Sequence, residues 1–128
     1  LFLVGMAAGG AAASVFGANA IGGVEQMVAA SVVVLGLMLV VARRVPAWVA
    51  GATVPLFAAF HGLAHVAEAP GGVVAYGAGM LAATATLLAI GFAAGKLVSR
   101  ARLSAEPVWR LAGVATAVLG VVLLTRVV

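Results

Sequence analysis

Residues 24–42 read VEQMVAASVVVLGLMLVVA and lead directly into Arg43 and Arg44. After Glu25, this segment contains no charged residue. Apolar residues would cover every side of a helix here, whereas a surface helix of a soluble protein keeps one polar face. A bilayer core about 30 Å thick is crossed by roughly 20 helical residues. The segment therefore predicts a membrane-spanning helix.

The composition of the whole chain points to the same class of protein. Its 128 residues are 66% hydrophobic and 8% charged, whereas soluble domains are about 45–50% apolar and about 25% charged. The absence of cysteine excludes disulfides, thiolate metal sites and a cysteine nucleophile. The net charge of +4 comes from scattered basic residues, so no nucleic-acid partner is expected. We expect an integral membrane protein surrounded by the lipid bilayer.

Charged and glycine- or proline-rich breaks divide the chain into apolar runs of spanning length. We predict an all-α fold, a polytopic transmembrane bundle that forms one domain over residues 1–128. A β-barrel would need alternating strands, which these runs do not show. Because the sequence begins at Leu1 rather than methionine, we expect upstream sequence. The five helices predicted here cover about residues 1–18, 24–42, 47–68, 73–96 and 108–126.

The basic residues predict the orientation of the bundle. Six of the seven lie between the second and third helices or in and beside the connection between the fourth and fifth, whereas Arg126 alone lies on the other side. Cytoplasmic loops are enriched in lysine and arginine. We therefore expect a multi-pass protein of the cytoplasmic membrane with its C-terminus outside. The six are Arg43, Arg44, Lys96, Arg100, Arg102 and Arg110.

Two glycine motifs predict close packing between helices. Gly5-xxx-Gly9 and Gly91-xxx-Gly95 would each let a neighbouring backbone approach closely. We expect this packing within one bundle. Self-association, or association with other membrane subunits, stays open.

The third helix carries the unusual chemistry, in residues 57–68, which read FAAFHGLAHVAE. At about 100° per residue, His61, His65 and Glu68 fall on one stripe. Two imidazoles one turn apart can reach one divalent metal, with the carboxylate as an oxygen donor or a successive station. A lone membrane histidine more often bonds two helices together, but ionisable groups clustered at membrane depth usually mark a site or pathway.

Glu25 would lie at the same membrane face as this cluster. It is a candidate fourth metal ligand, although a carboxylate at a helix N-terminus is also favoured by the helix dipole alone. The His-Glu-x-x-His pattern of metalloproteases is absent because position 62 is glycine. We therefore expect neither an enzyme nor an organic cofactor.

Residues 60–68, FHGLAHVAE, resemble the Phe-His-Gly-x-Ala-His-Gly-x-Glu signature of the HupE/UreJ family. The resemblance implies a small bacterial inner-membrane protein, associated with hydrogenase or urease, that acts as a permease for nickel or cobalt. It implies that His61, His65, Glu68 and Glu25 handle Ni²⁺ as the transported ion, while Co²⁺ and Zn²⁺ suit the same donors. This sequence departs from the family at Val66, where glycine is usual, and in lacking a His-Pro-x-x-Gly-x-Asp-His motif that the family carries on an earlier helix. The resemblance therefore implies six helices in the full protein.

Two other functions stay open at this point. The protein could be a redox subunit with histidine-ligated haem, but a haem takes axial ligands from opposite sides, and His61 and His65 share one side of one helix. It could also be a structural membrane subunit whose histidines only hold helices together.

Overall fold

The computed structural model describes residues 1–17, 22–41, 44–67, 69, 72–100 and 105–128. Every regular element in these ranges is a helix, which confirms the predicted all-α fold with five helices. In chain order the helices are α1 (Phe2–Phe16), α2 (Val24–Val40), α3 (Ala47–Ala67), α4 (Val73–Arg100) and α5 (Ala105–Val127).

Glycines mark the connection between α1 and α2. Gly17 follows α1 with a φ of 89°, and its N–H donates to the Ala13 carbonyl at 2.9 Å. Gly23 precedes α2 with a φ of 78°. Both angles lie in the left-handed region, which glycine adopts without a Cβ clash. A glycine in this region therefore stands directly after α1 and another directly before α2.

The last two helices are longer than the sequence pattern predicts. α4 continues to Arg100, past the expected end near residue 96, because lysine and arginine are good helix formers and a membrane boundary does not end a helix. α5 begins at Ala105, before the expected residue 108, so Pro107 lies in its first turn. Proline is tolerated there because the N–H groups of a first turn have no partner within the helix.

α1 packs along α3 at backbone contact distance. A methyl group at Gly9 would overlap the carbonyl oxygen of Ala59 and lie 2.7 Å from its carbonyl carbon. A methyl group at Gly5 would likewise overlap the Pro55 carbonyl, and one at Gly62 would overlap the Met6 carbonyl. These contacts confirm the close approach predicted for Gly5-xxx-Gly9. Because the residue numbers rise together on the two helices, α1 and α3 run parallel.

α2 and α5 form a second closely packed pair. A methyl group at Gly113 would lie 2.7 Å from the Gly36 carbonyl oxygen, and one at Gly120 would lie 2.6 Å from the Val33 nitrogen. The numbers run in opposite directions, so these helices are antiparallel. Near one end of the pair, the Gln26 Nε2 donates to the Val127 carbonyl at 2.8 Å. α2 also contacts α3 and so joins the two pairs.

α4 lies at the periphery of the bundle. It contacts α1 and α3, and none of its residues is buried. A methyl group at Gly91 or Gly95 would meet no atom within 4 Å among the described residues. The close packing predicted for Gly91-xxx-Gly95 is therefore not found within this part of the chain. Large apolar side chains on this helix are exposed, as Phe92 is at 67%.

Three helices are long and apolar enough to cross a membrane within the described residues: Ala47–Val66, Val73–Arg100 and Glu106–Val127. α1 and α2 are apolar but shorter, with 15 and 17 residues. Seventeen helical residues rise only about 26 Å, less than a bilayer core of about 30 Å. The sequence predicted spans over about residues 1–18 and 24–42, whereas the helices end earlier, at Phe16 before Gly17 and at Val40 before the turn at Val41.

The helix directions give the bundle two chemically different ends. α1, α3 and α5 finish, and α2 and α4 begin, at the end we call the histidine end because His65 lies there. Glu25 and Arg126 also belong to this end. The described basic residues at the opposite end are Arg44, Lys96, Arg100 and Arg110. The charge asymmetry of the sequence is thus an asymmetry between the two ends of the folded bundle.

Candidate metal site

The last two turns of α3 place both histidines of the chain near the histidine end. His61 and His65 are four residues apart, which corresponds to about 6 Å of helix rise. Both side chains are half-buried. The Gly9 and Gly62 backbones let α1 lie against this part of α3, so the histidines stand beside a helix contact rather than on an isolated helix.

The hydrogen bond of His61 fixes which of its nitrogens can bind a metal. Its Nδ1 lies 3.0 Å from the carbonyl oxygen of Phe57, one turn earlier in α3. A carbonyl oxygen only accepts, so Nδ1 carries the proton and donates. In the neutral imidazole, Nε2 then holds the free lone pair, which is the form that ligates metals. The Phe2 ring of α1 makes an edge-type contact with this imidazole, with ring centroids 6.2 Å apart.

His65 is contacted from another helix. Its Nδ1 lies 3.5 Å from the hydroxyl oxygen of Tyr76, in the first turns of α4. The two rings are tilted by 52°, with centroids 6.4 Å apart. The sequence analysis missed Tyr76. The signal that could have found it is that Tyr76 is the single tyrosine of the chain and follows the short connection after the histidine motif.

Of the two predicted carboxylate ligands, the structure describes only Glu25. Glu25 is exposed in the first turn of α2, where the positive end of the helix dipole stabilises its charge. Among the described residues, no three histidine, aspartate or glutamate side chains form a group that could hold a metal ion. The structure therefore does not gather Glu25 with both histidines. Glu68 lies outside the described residues, so the four-residue ligand set stays a prediction.

The part of the site that the structure describes offers two imidazole nitrogens and no carboxylate beside them. Imidazole binds nickel, cobalt, copper and zinc. Two ligands from one helix leave most of the coordination sphere of such an ion open, so an ion held there can exchange its remaining ligands.

Comparison with known proteins identifies the family. The family model described as HupE / UreJ protein matches residues 1–123, nearly the whole chain. No curated protein and no solved structure gave a significant match. The family match and the apolar helices indicate a membrane protein. The chain belongs to the HupE/UreJ family, which is associated with nickel or cobalt transport for hydrogenase or urease.

Proposed function

We propose that this protein is a nickel permease of the bacterial cytoplasmic membrane that supplies hydrogenase or urease maturation. In this proposal it moves an ion without catalysing a reaction and needs no organic cofactor. Family membership supports metal transport. Because imidazole suits several divalent metals, the choice of nickel rests on the family rather than on the donor atoms.

One observation carries the proposal. His61 and His65 lie one turn apart on α3, and the Nδ1 of each is already engaged by a hydrogen-bonding partner. Metal-binding histidines usually donate the other ring N–H to a carbonyl or similar acceptor, which orients the ring. The hydrogen bond of His61 stays within α3, so a role limited to joining helices does not account for this histidine.

The route of the ion follows from the two ends of the bundle. The basic end faces the cytoplasm by the positive-inside rule, so the histidine end faces outward and the C-terminus lies outside. A cation entering there first meets the exposed carboxylate of Glu25, and the sequence motif supplies Glu68 as a second acceptor. The cation then passes to His65 and to His61, which lies about 6 Å deeper along α3. The sequence has no nucleotide-binding motif, so an ion gradient or a partner supplies the energy.

The test separates ligation from helix stabilisation at His61. In His61→Asn, the side-chain amide can still donate to the Phe57 carbonyl, but the Nε2 lone pair is lost. We expect at least a tenfold loss of ⁶³Ni²⁺ accumulation in bacteria that lack other nickel uptake, at unchanged protein level. His65→Ala should show the same loss. Normal uptake by both variants would refute the ligand assignment and favour the structural role.

The control variant is Thr86→Ala. The Thr86 Oγ1 also donates to the carbonyl four residues earlier, that of Ala82, at 2.8 Å. Its removal deletes a hydrogen bond of the same type on the exposed face of α4, away from the histidines. Uptake by Thr86→Ala should equal that of the unaltered protein. An equal loss in Thr86→Ala and His61→Asn would show that the assay reports folding rather than ligation.

A further inference from the structure

Tyr76 brings a polar group of α4 to the histidines of α3. Most described side-chain hydrogen bonds in this protein reach a carbonyl three or four residues earlier in the same helix, as that of Ser99 does. The contact between Tyr76 and His65 instead joins side chains of two helices. Tyr76 is half-buried, whereas its neighbours Val74 and Ala75 are exposed. The phenol therefore turns inward, towards the imidazole.

We infer that Tyr76 is a positioning residue whose hydroxyl oxygen accepts the Nδ1–H of His65 and keeps Nε2 free for the ion. A neutral imidazole carries one proton, and its two tautomers differ in which nitrogen holds it. A phenol that donated to Nδ1 would move that proton to Nε2 and abolish the ligand atom. With the phenol accepting, His65 has the same tautomer as His61, whose partner is a carbonyl oxygen.

The spacing of 3.5 Å between the phenol oxygen and Nδ1 is longer than the usual N–H···O distance of about 2.7–3.2 Å. Hydrogen bonds of functional groups are often long in the unliganded state and shorten when the site is loaded. The aromatic contact, with centroids 6.4 Å apart, already holds the two rings side by side. A small rotation of either side chain therefore shortens the bond without moving a helix.

α4 has no buried residue and contacts α3 only sparingly. The contact between Tyr76 and His65 is therefore one of the few that connect this helix with the histidine-bearing helix. This inference rests on the proposed function for its biological meaning, but the orientation of His65 can be measured without metal.

The test uses Tyr76→Phe, which keeps the ring and removes the hydroxyl. In purified full-length chain with ¹⁵N-labelled histidine, long-range ¹⁵N–¹H spectra report the tautomer of each imidazole, with the His65 signals assigned from His65→Ala. We expect the Nδ1–H form of His65 in the metal-free protein and a mixture of both tautomers in Tyr76→Phe. Loss of a residue that hydrogen-bonds to a metal ligand typically changes metal affinity by about 10- to 100-fold. The Kd of Tyr76→Phe for Ni²⁺ should therefore rise about tenfold or more.

Ser99→Ala is the control, because it removes a hydroxyl from the other end of α4, where the Ser99 Oγ donates to the Gly95 carbonyl at 3.0 Å. It should leave both the tautomer and the Kd unchanged. An unchanged tautomer and Kd in Tyr76→Phe, with a loss in Tyr76→Ala, would show that only ring packing matters and would overturn the inference. If the unaltered protein binds no Ni²⁺, the proposed function fails, whereas the metal-free spectra still decide the role of Tyr76.

Discussion

Replacement of Gly9 by alanine should push α1 away from α3 and destabilise the bundle. The added methyl group would overlap the Ala59 carbonyl oxygen and lie 2.7 Å from its carbon, whereas ordinary contacts begin near 3.4 Å. The obstacle is backbone, which cannot rotate aside as a side chain would. The two helices must therefore separate by at least about 0.7 Å, the difference between these two distances.

The size of the effect follows from the packing that this separation removes. A gap of about 0.5–1 Å forfeits a quarter to a half of the dispersion energy of each contact it opens. Overpacking of a well-filled site costs about 1–3 kcal/mol. Alanine is favoured over glycine within a helix by about 0.5–1 kcal/mol, which offsets part of that cost. We expect Gly9→Ala to lower the free energy of unfolding by up to about 2.5 kcal/mol, the difference between these two effects.

Gly91→Ala provides a matched comparison, since Gly91 opens the second motif of the same type and its methyl group would meet no atom of the described residues within 4 Å. Gly91→Ala should therefore gain the stability that alanine has over glycine within a helix, without the cost of overpacking. Unfolding in mixed micelles titrated with SDS, followed by tryptophan fluorescence, measures both variants. The difference between the free energies of unfolding of the two variants gives the cost of the overpacking alone, about 1–3 kcal/mol. Equal unfolding midpoints would refute the packing argument.

Two further predictions concern the second helix pair and the orientation. Gly113→Ala should destabilise the protein as Gly9→Ala does, because its methyl group would lie 2.7 Å from the Gly36 carbonyl oxygen and 2.8 Å from the Val40 nitrogen; the same SDS titration checks this, and stability equal to that of Gly91→Ala would contradict it. Alkaline phosphatase fused after Val128 should be active, and green fluorescent protein fused at the same position should be dark, because we propose that the C-terminus lies outside. The reverse pattern would place the C-terminus in the cytoplasm and contradict the orientation.

Much of the candidate site could be predicted because its two histidines belong to one helix. The spacing of His61 and His65 places them one turn apart whatever surrounds α3, since a helix fixes the relation between residues four apart. Glu25 is different, because its distance from α3 depends on how α2 packs. The prediction placed Glu25 at the correct end of the bundle, yet the described residues do not bring it into one group with the histidines.

Tyr76 could not have been assigned from sequence for the same reason. It lies eleven residues after His65, on another helix, and its contact depends on the angle at which α4 returns beside α3. The two glycine motifs likewise show that a contact between helices cannot be assigned from the sequence alone. Gly5-xxx-Gly9 and Gly91-xxx-Gly95 look alike in sequence, but only the first meets a neighbouring backbone in the described bundle.

The amino-acid sequence alone determined the class of protein, the five helices, the charge difference between the ends of the bundle and the histidine pair. These properties follow from composition and from the local periodicity of a helix, which need no knowledge of neighbours. The tertiary structure decided that α1 pairs with α3 and α2 with α5, that α4 lies outside, and that Tyr76 reaches His65. Those outcomes depend on which helix faces fit closely together. Small residues permit two helices to approach, but a close contact forms only where the neighbouring backbone has a complementary shape and the right register.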